Sequence, residues 1–251
     1  MQNDANTMQS ERLAQVYPWQ QTIWNTLTGR FPEIGHGLLF YGKKGCGKEA
    51  FSQYFLAWVL CLNRHVKNVP CGECNSCLWL KSDTHPNYVY ISTDEENKKQ
   101  NAKIKIEKIR DLLPFVQQTV DGWRVIVIEP AEALNIASAN ALLKTLEEPG
   151  DRTMIILLAE HYLKLPATIR SRLQHYALDR ISDTQADEYL NQNLSDLDPI
   201  QKQLLLNLSN HMPLQALKLA NAEWLQKRQE FLMDWQKLVI QKNMPMAIAT
   251  K

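Results

Sequence analysis

The chain has 251 residues, 45% of them hydrophobic, enough to bury a full core and too apolar for a disordered chain. Lys and Arg number 28 against 27 Asp and Glu, so the net charge of +1 gives no global attraction to nucleic acid and leaves any such contact to a local patch. The N-terminal MQNDANTMQSERLAQ lacks the apolar centre of a signal peptide and the longest apolar run, 55–62, is too short to span a bilayer, which sets the expectation of a soluble, cytoplasmic protein with no membrane contact.

The first informative stretch begins at His36-Gly37, which lead into the apolar run 38–41, the glycine-rich GKKGCGKE at 42–49, and an amphipathic segment carrying Phe51, Phe55, Trp58 and Val59. Strand, glycine loop and helix in that order are the context of a phosphate-binding loop, G-x-x-x-x-G-K-S/T, whose backbone N–H groups wrap a phosphate while the lysine reaches its oxygens and a hydroxyl holds Mg²⁺. Gly42, Gly45, Gly47 and Lys48 supply the glycines and the lysine. Glu49 stands where the hydroxyl belongs, and a carboxylate there repels a triphosphate, so the expectation is a nucleotide site with weak or no ATP binding. Cys46, inside the loop, reads as a small filler whose thiol, near a helix N-terminus, is expected to be somewhat acidified.

In a reducing compartment five cysteines are read first as metal ligands rather than disulfides. Cys71, Cys74 and Cys77 form C-x2-C-x2-C, with Pro70 and Gly72 tightening the turn, and Cys61 lies ten positions upstream at the end of the first helix. Four thiols in that spacing suit one closed tetrahedral zinc site, structural because no position is left open for water. Buried reduced thiols without metal are the alternative.

Further on, short apolar runs at 88–91, 123–128 and 154–158 alternate with helical spacing such as Ile106, Ile109, Leu112, Leu113, Val116. That alternation predicts a parallel sheet with helices on both faces. Lys98, Lys99, Lys103, Lys105, Lys108 and Arg110 form the best basic patch, but Glu95, Glu96 and Glu107 are interleaved, and DNA contact and a solvated face both remain open. The strand at 125–128 ends in Glu129-Pro130-Ala131-Glu132, where an ATPase of this fold carries an Asp for Mg²⁺ and then a general base. Glu129 is able to face a metal; Pro130 has no side chain to accept a proton; Glu132 reads as a surface carboxylate. After Arg172 the chain reads as short helices at 183–189, 199–208 and 214–220, then a last helical stretch at 224–240.

From Ala139 the sequence runs ANALLKTLEEPG and then KLPATIRSRLQ, and here it resembles the clamp-loader branch of AAA+ proteins. NALLKTLEEP at 140–149 is close to the family's signature helix, with Ala139, Leu142, Leu143 and Leu146 facing inward and Lys144, Glu147 and Glu148 outward for a neighbour. Ser171-Arg172 match the family's Ser-Arg-Cys motif, with Leu173 in the cysteine's place. The cysteine module and His85-Pro86-Asn87-Tyr88 make the chain similar to bacterial loaders, and the damaged ATP motifs to the subunit that does not hydrolyse rather than to the hydrolysing gamma/tau subunit.

The resemblance implies an AAA+ RecA-like α/β domain over 1–176 with the zinc module inserted at about 61–80, a small helical lid domain over 177–222, and the start of a helical collar domain over 223–251. The family's ATP-sensing arginine falls near Gln215, where Leu214 stands, and the chain stops inside what would be the collar, as a fragment or with reduced assembly contacts. The implied role is a hetero-oligomer with gamma/tau and delta subunits that places a sliding clamp on primed DNA within a DNA-directed DNA polymerase assembly, Arg172 beside Ser171 acting as an arginine finger toward the neighbour's ATP. Two rivals remain, an active AAA+ motor that tolerates Glu49 and a zinc-stabilised DNA-binding protein.

Overall fold

The computed structural model describes residues 16–64, 68–93, 102–118, 121–221 and 224–241. They divide into two compact units, 16–180 and 181–241. Lys98 and Lys99 of the basic patch lie outside the described residues.

In the first unit a five-stranded parallel sheet runs in the order β2-β3-β4-β1-β5. The strands are β1 (Gly37–Tyr41), β2 (Tyr88–Ile91), β3 (Arg124–Ile128), β4 (Thr153–Ala159) and β5 (Gln174–Ala177). β4 is buried at every position, which is why TMIILLA is an unbroken apolar run: a central parallel strand has helices over both faces. Its register pairs Ile156 with Leu38 on one side and with Val127 on the other. Alternation along β1 sends Phe40 against α2 (Lys48–Leu60), its ring 5.3 Å from Phe51 and 6.0 Å from Phe55. Leu39 points to the other face, into a core with Ile126, Ile155, Leu142 and Leu146. Trp24 on α1 (Gln21–Arg30) seals the outer side of α2 with edge contacts to Phe51, Phe55 and Trp58.

Two sequence expectations are corrected. The sheet does not end at 154–158, because β5 adds an edge strand paired with β1. Its QHYA is only partly buried, so it has none of the apolar continuity by which the central strands announce themselves. The helical spacing through 106–116 is two helices, α4 (Ile106–Arg110) and α5 (Leu112–Gln117), following α3 (Asn75–Lys81). Pro114 is the reason: it cannot donate to the Arg110 carbonyl and its ring clashes there, so a new helix starts with the proline in its first turn. Arg124 sits within an apolar strand yet is fully buried, donating to the carbonyls of Val116 (2.6 Å) and Gln118 at the C-terminal end of α5, where a cation is favoured.

α6 (Ile136–Glu147) is capped by Asn135, whose side chain accepts from the Ser138 N–H, and it buries Ala139, Leu142 and Leu146. Leu143 is only partly buried. α7 (Ala167–Arg170) is a single turn leading into Ser171 and Arg172. The second unit holds α8 (Asp183–Asn193), α9 (Pro199–Leu208), α10 (Pro213–Asn221) and α11 (Trp224–Gln241). Capping boxes at Ser182 and Asp198 start α8 and α9, and Ala186, Leu190, Leu205, Leu206 and Ala216 form the small core between α8, α9 and α10. Among the described residues no helix is long and apolar enough to cross a membrane.

Candidate nucleotide loop, cysteine centre and surface arginine

The loop between β1 and α2 has the backbone of a phosphate loop. Gly42, Gly45 and Gly47 all have positive φ, and Gly47, in the left-handed region, caps α2. What surrounds it was not legible from spacing. Trp19 Nε1 donates to the Cys46 carbonyl at 2.9 Å, and Gln20 Nε2 donates to the carbonyls of Cys46 and Gly47 at 3.1 and 3.0 Å. A Cβ on Gly47 would stand 2.8 Å from the Tyr17 ring, so only glycine admits this close approach. The Lys43 N–H is taken by Asp179 at 3.2 Å.

Lys48 is 2% exposed. Its ammonium lies 2.8 Å from Glu49 Oε1 and 3.8 Å from Glu160 Oε1. The Glu49 contact is an ion pair between neighbours in sequence, at the first turn of α2. Burial alone would lower its proton affinity, but Glu49, with Cys46 and Glu160 behind it, holds Lys48 above the ordinary lysine range. Cys46 corrects the expectation of an acidified thiol: burial outweighs the nearby ammonium and pushes it up to about 12.

Beyond the loop, the Tyr90 hydroxyl donates to Glu129 Oε2 at 3.0 Å. Burial, with Glu49's charge added, pushes the Glu129 carboxyl up to about 7, while the Tyr90 bond and Lys48 pull the other way. Pro130 carries no titratable group. Glu132 is not a plain surface carboxylate. It is partly buried, and its Oε1 accepts from the His161 backbone N–H at 2.5 Å, bracing the turn after β4 rather than reaching for a water.

The cysteine centre does come together. The Sγ atoms of Cys61, Cys71, Cys74 and Cys77 all lie within 4.8 Å of one another, with 3.9 Å between Cys71 and Cys77. A tetrahedral ion with Zn–S near 2.3 Å needs about 3.8 Å between sulfurs, so the cluster fits zinc with little contraction. Cys71 N–H donates to Cys61 Sγ and Cys74 N–H to Cys71 Sγ, both at 3.3 Å, as thiolates invite. Backbone N–H groups, Glu73's first, lower the Cys71 thiol to about 6. Burial raises Cys61 and Cys77, which a bound dication would reverse. Behind the centre, His85 Nδ1 accepts from the Asn87 N–H at 3.0 Å, which assigns the proton to Nε2 for donation to Ser76 Oγ at 2.8 Å, and that hydroxyl donates to the Leu60 carbonyl at 2.7 Å. This chain ties the module to β2 and to the end of α2.

Ser171 and Arg172 follow α7 on the surface. Ser171 Oγ donates to the Thr168 carbonyl at 3.1 Å and so stops the turn. Arg172 does not lie free: Nε and Nη2 both donate to Glu147 Oε1, at 2.9 and 2.5 Å. Glu147, expected to face only a neighbour, is therefore engaged within its own chain. In the second unit Leu214 and Gln215 sit in the first turn of α10.

A parallel sheet with a phosphate loop after β1, an acidic residue ending β3 and a helical unit after the sheet defines an AAA+ P-loop protein. A solved Thermotoga maritima RuvB variant shares that fold, with a TM-score of 0.50 at 15% identity over 80% of this chain and 59% of that one. The family model described as DNA polymerase III, delta subunit, matches residues 20–182. The delta-prime subunit of DNA polymerase III from Pseudomonas aeruginosa is 36% identical over 92% of this chain and 69% of its own length, and that of Haemophilus influenzae 33% over 86% and 65%. The tau/gamma subunit of Haemophilus influenzae is 32% identical over 62% of this chain and 22% of its own. The chain belongs to the DNA polymerase III delta-prime family and spans about two thirds of the length of these delta-prime relatives.

Proposed function

We propose that this chain is the non-hydrolysing subunit of a DNA polymerase III clamp loader, supporting in a hetero-oligomer the ATP-driven work of gamma/tau subunits and supplying Arg172 to a neighbour's ATP site. The observation that carries the reading is the Lys48–Glu49 ion pair at 2.8 Å. The lysine that would meet a phosphate already has an anion beside it, and Pro130 removes the base that would activate water. Ser171 and Arg172, exposed past α7, are available to a docking subunit. Cys61, Cys71, Cys74 and Cys77 hold a zinc ion that staples the insertion between α2 and β2 and does no chemistry.

Reconstitution with DNA polymerase III gamma/tau and delta subunits is the test. A defined complex forms, and its ATP hydrolysis with sliding clamp and primed DNA is unchanged by Lys48→Ala. Arg172→Ala leaves assembly intact and reduces hydrolysis partially: a finger is worth roughly 10³–10⁵ in rate at its own site, and only one of several sites loses it. Lys at position 172 rescues poorly, since a point charge lacks the planar fork. Turnover by the isolated chain that vanishes in Lys48→Ala would overturn the reading in favour of an active motor.

A further inference from the structure

The contact between Glu147 and Arg172 joins the last residue of α6 to the residue proposed as a finger, 25 positions apart in sequence. One carboxylate oxygen accepts from Nε and Nη2, while Nη1 donates to the Thr168 carbonyl at 2.9 Å, so the guanidinium plane is fixed from two sides. The backbone beneath it is fixed as well. Arg172 N–H donates to the Ile169 carbonyl at 3.1 Å, and a Cβ on Gly37 would stand 3.1 Å from the Arg172 carbonyl oxygen, so β1 runs directly against this turn. A guanidinium has five N–H donors. Three are used here, leaving one on Nη1 and one on Nη2, on a side chain still 37% exposed. Glu148, the next residue, takes no part in these bonds.

We propose that Glu147 is a positioning residue: it holds the Arg172 guanidinium in a single orientation so that the two unused N–H groups form a fork for the oxygens of a phosphoryl group presented by an adjacent subunit. The inference rests on the finger reading above and adds what that reading lacks, the group that aims the finger. An unheld surface arginine samples many rotamers and must lose that freedom when the reaction occurs; one held beforehand has already lost it. The carboxylate stays on the Nε edge, where its repulsion toward an incoming phosphate is least.

The test uses the assembled complex with gamma/tau and delta subunits, measuring kcat and KM for ATP with clamp and primed DNA present. In Glu147→Ala the Arg172-dependent part of kcat falls about five- to tenfold, the scale of one oriented charge-assisted bond, with KM for ATP unchanged. Glu147→Gln keeps an acceptor of the same reach and retains at least half of that part. The Glu147→Ala, Arg172→Ala double variant is no slower than Arg172→Ala alone. A rate unchanged or raised by Glu147→Ala, a Gln variant as slow as Ala, or additive losses in the double variant would overturn the proposal while leaving the finger standing. Should Arg172→Ala itself leave the rate unaltered, the finger reading falls and this one with it.

Discussion

Glu49 occupies the first turn of α2, where the partial positive charge of unpaired N–H groups already favours an anion by about 0.3–1 kcal/mol. Tethered beside Lys48, its carboxylate is always present, whereas a phosphate must bind from solution and meet that negative charge. The same charge acts on Glu129, with a consequence for pH dependence. The Glu129 carboxyl rises from 4.5 to about 7 in the fold, so between those values the folded state binds more protons than the unfolded one. Its contribution to stability is therefore full below about pH 4.5, declines as pH rises toward about 7, and is flat above. Glu129→Gln keeps an acceptor for the Tyr90 hydroxyl and removes the titration. Allowing for partial exposure, the variant should be more stable than wild type by about 1–2 kcal/mol at pH 8 and show no such advantage at pH 4.5. Urea unfolding at the two pH values reads this, and an equal difference at both would contradict it.

At the scale of elements, the cysteine module shows a local signal that survived folding intact. C-x2-C-x2-C places three sulfurs by turn geometry alone, and the cap of α2 delivers Cys61 to them because the module doubles straight back, a turn secured by Ser76 bonding to the Leu60 carbonyl. Cys77 is the more buried of the two ligands flanking that hydroxyl, since Cys74 remains partly open. Cys77→Ser should reduce zinc from about one per chain to a small fraction and lower the thermal midpoint by roughly 5–10 °C, since the ion's binding energy is part of the module's folding energy and each kcal/mol moves a chain of this size by a few degrees. Metal analysis of protein purified without added zinc, with a thermal scan beside it, checks both. A zinc-free wild type with four titratable thiols and an unshifted midpoint in Cys77→Ser would contradict the claim. β5 is the opposite case. An edge strand needs apolar residues on one side only, and QHYA gives no run for periodicity to detect; it is a strand because β1 offers it a hydrogen-bonding edge.

For the whole molecule, a net charge of +1 predicts weak binding of the isolated chain to duplex DNA with a shallow salt dependence. Lys108, in the patch weighed for DNA, donates to the Ser92 carbonyl at 2.8 Å, and so is partly spent within the chain. Fluorescence anisotropy between 50 and 200 mM salt should give a slope of log K against log salt no steeper than about −3, fewer than roughly four phosphate contacts; a slope near −6 would favour the DNA-binding rival. The parallel sheet, the clustering of four cysteines, the glycine-rich loop after β1 and the short helices after the sheet were all readable in the chain, because each depends on residues close in sequence: apolar runs for central strands, fixed cysteine spacing, glycines where φ must be positive. The tertiary structure alone decided the partners. Lys48 with Glu160, Glu129 with Tyr90, Glu132 with the His161 N–H, Trp19 and Gln20 with the loop carbonyls, and Arg172 with Glu147 are contacts between residues whose separation in sequence carries no period. Each is set by which strand ends and helix ends the sheet brings together, and a charge or hydroxyl in the sequence gives no sign of which other group will meet it once the sheet has formed.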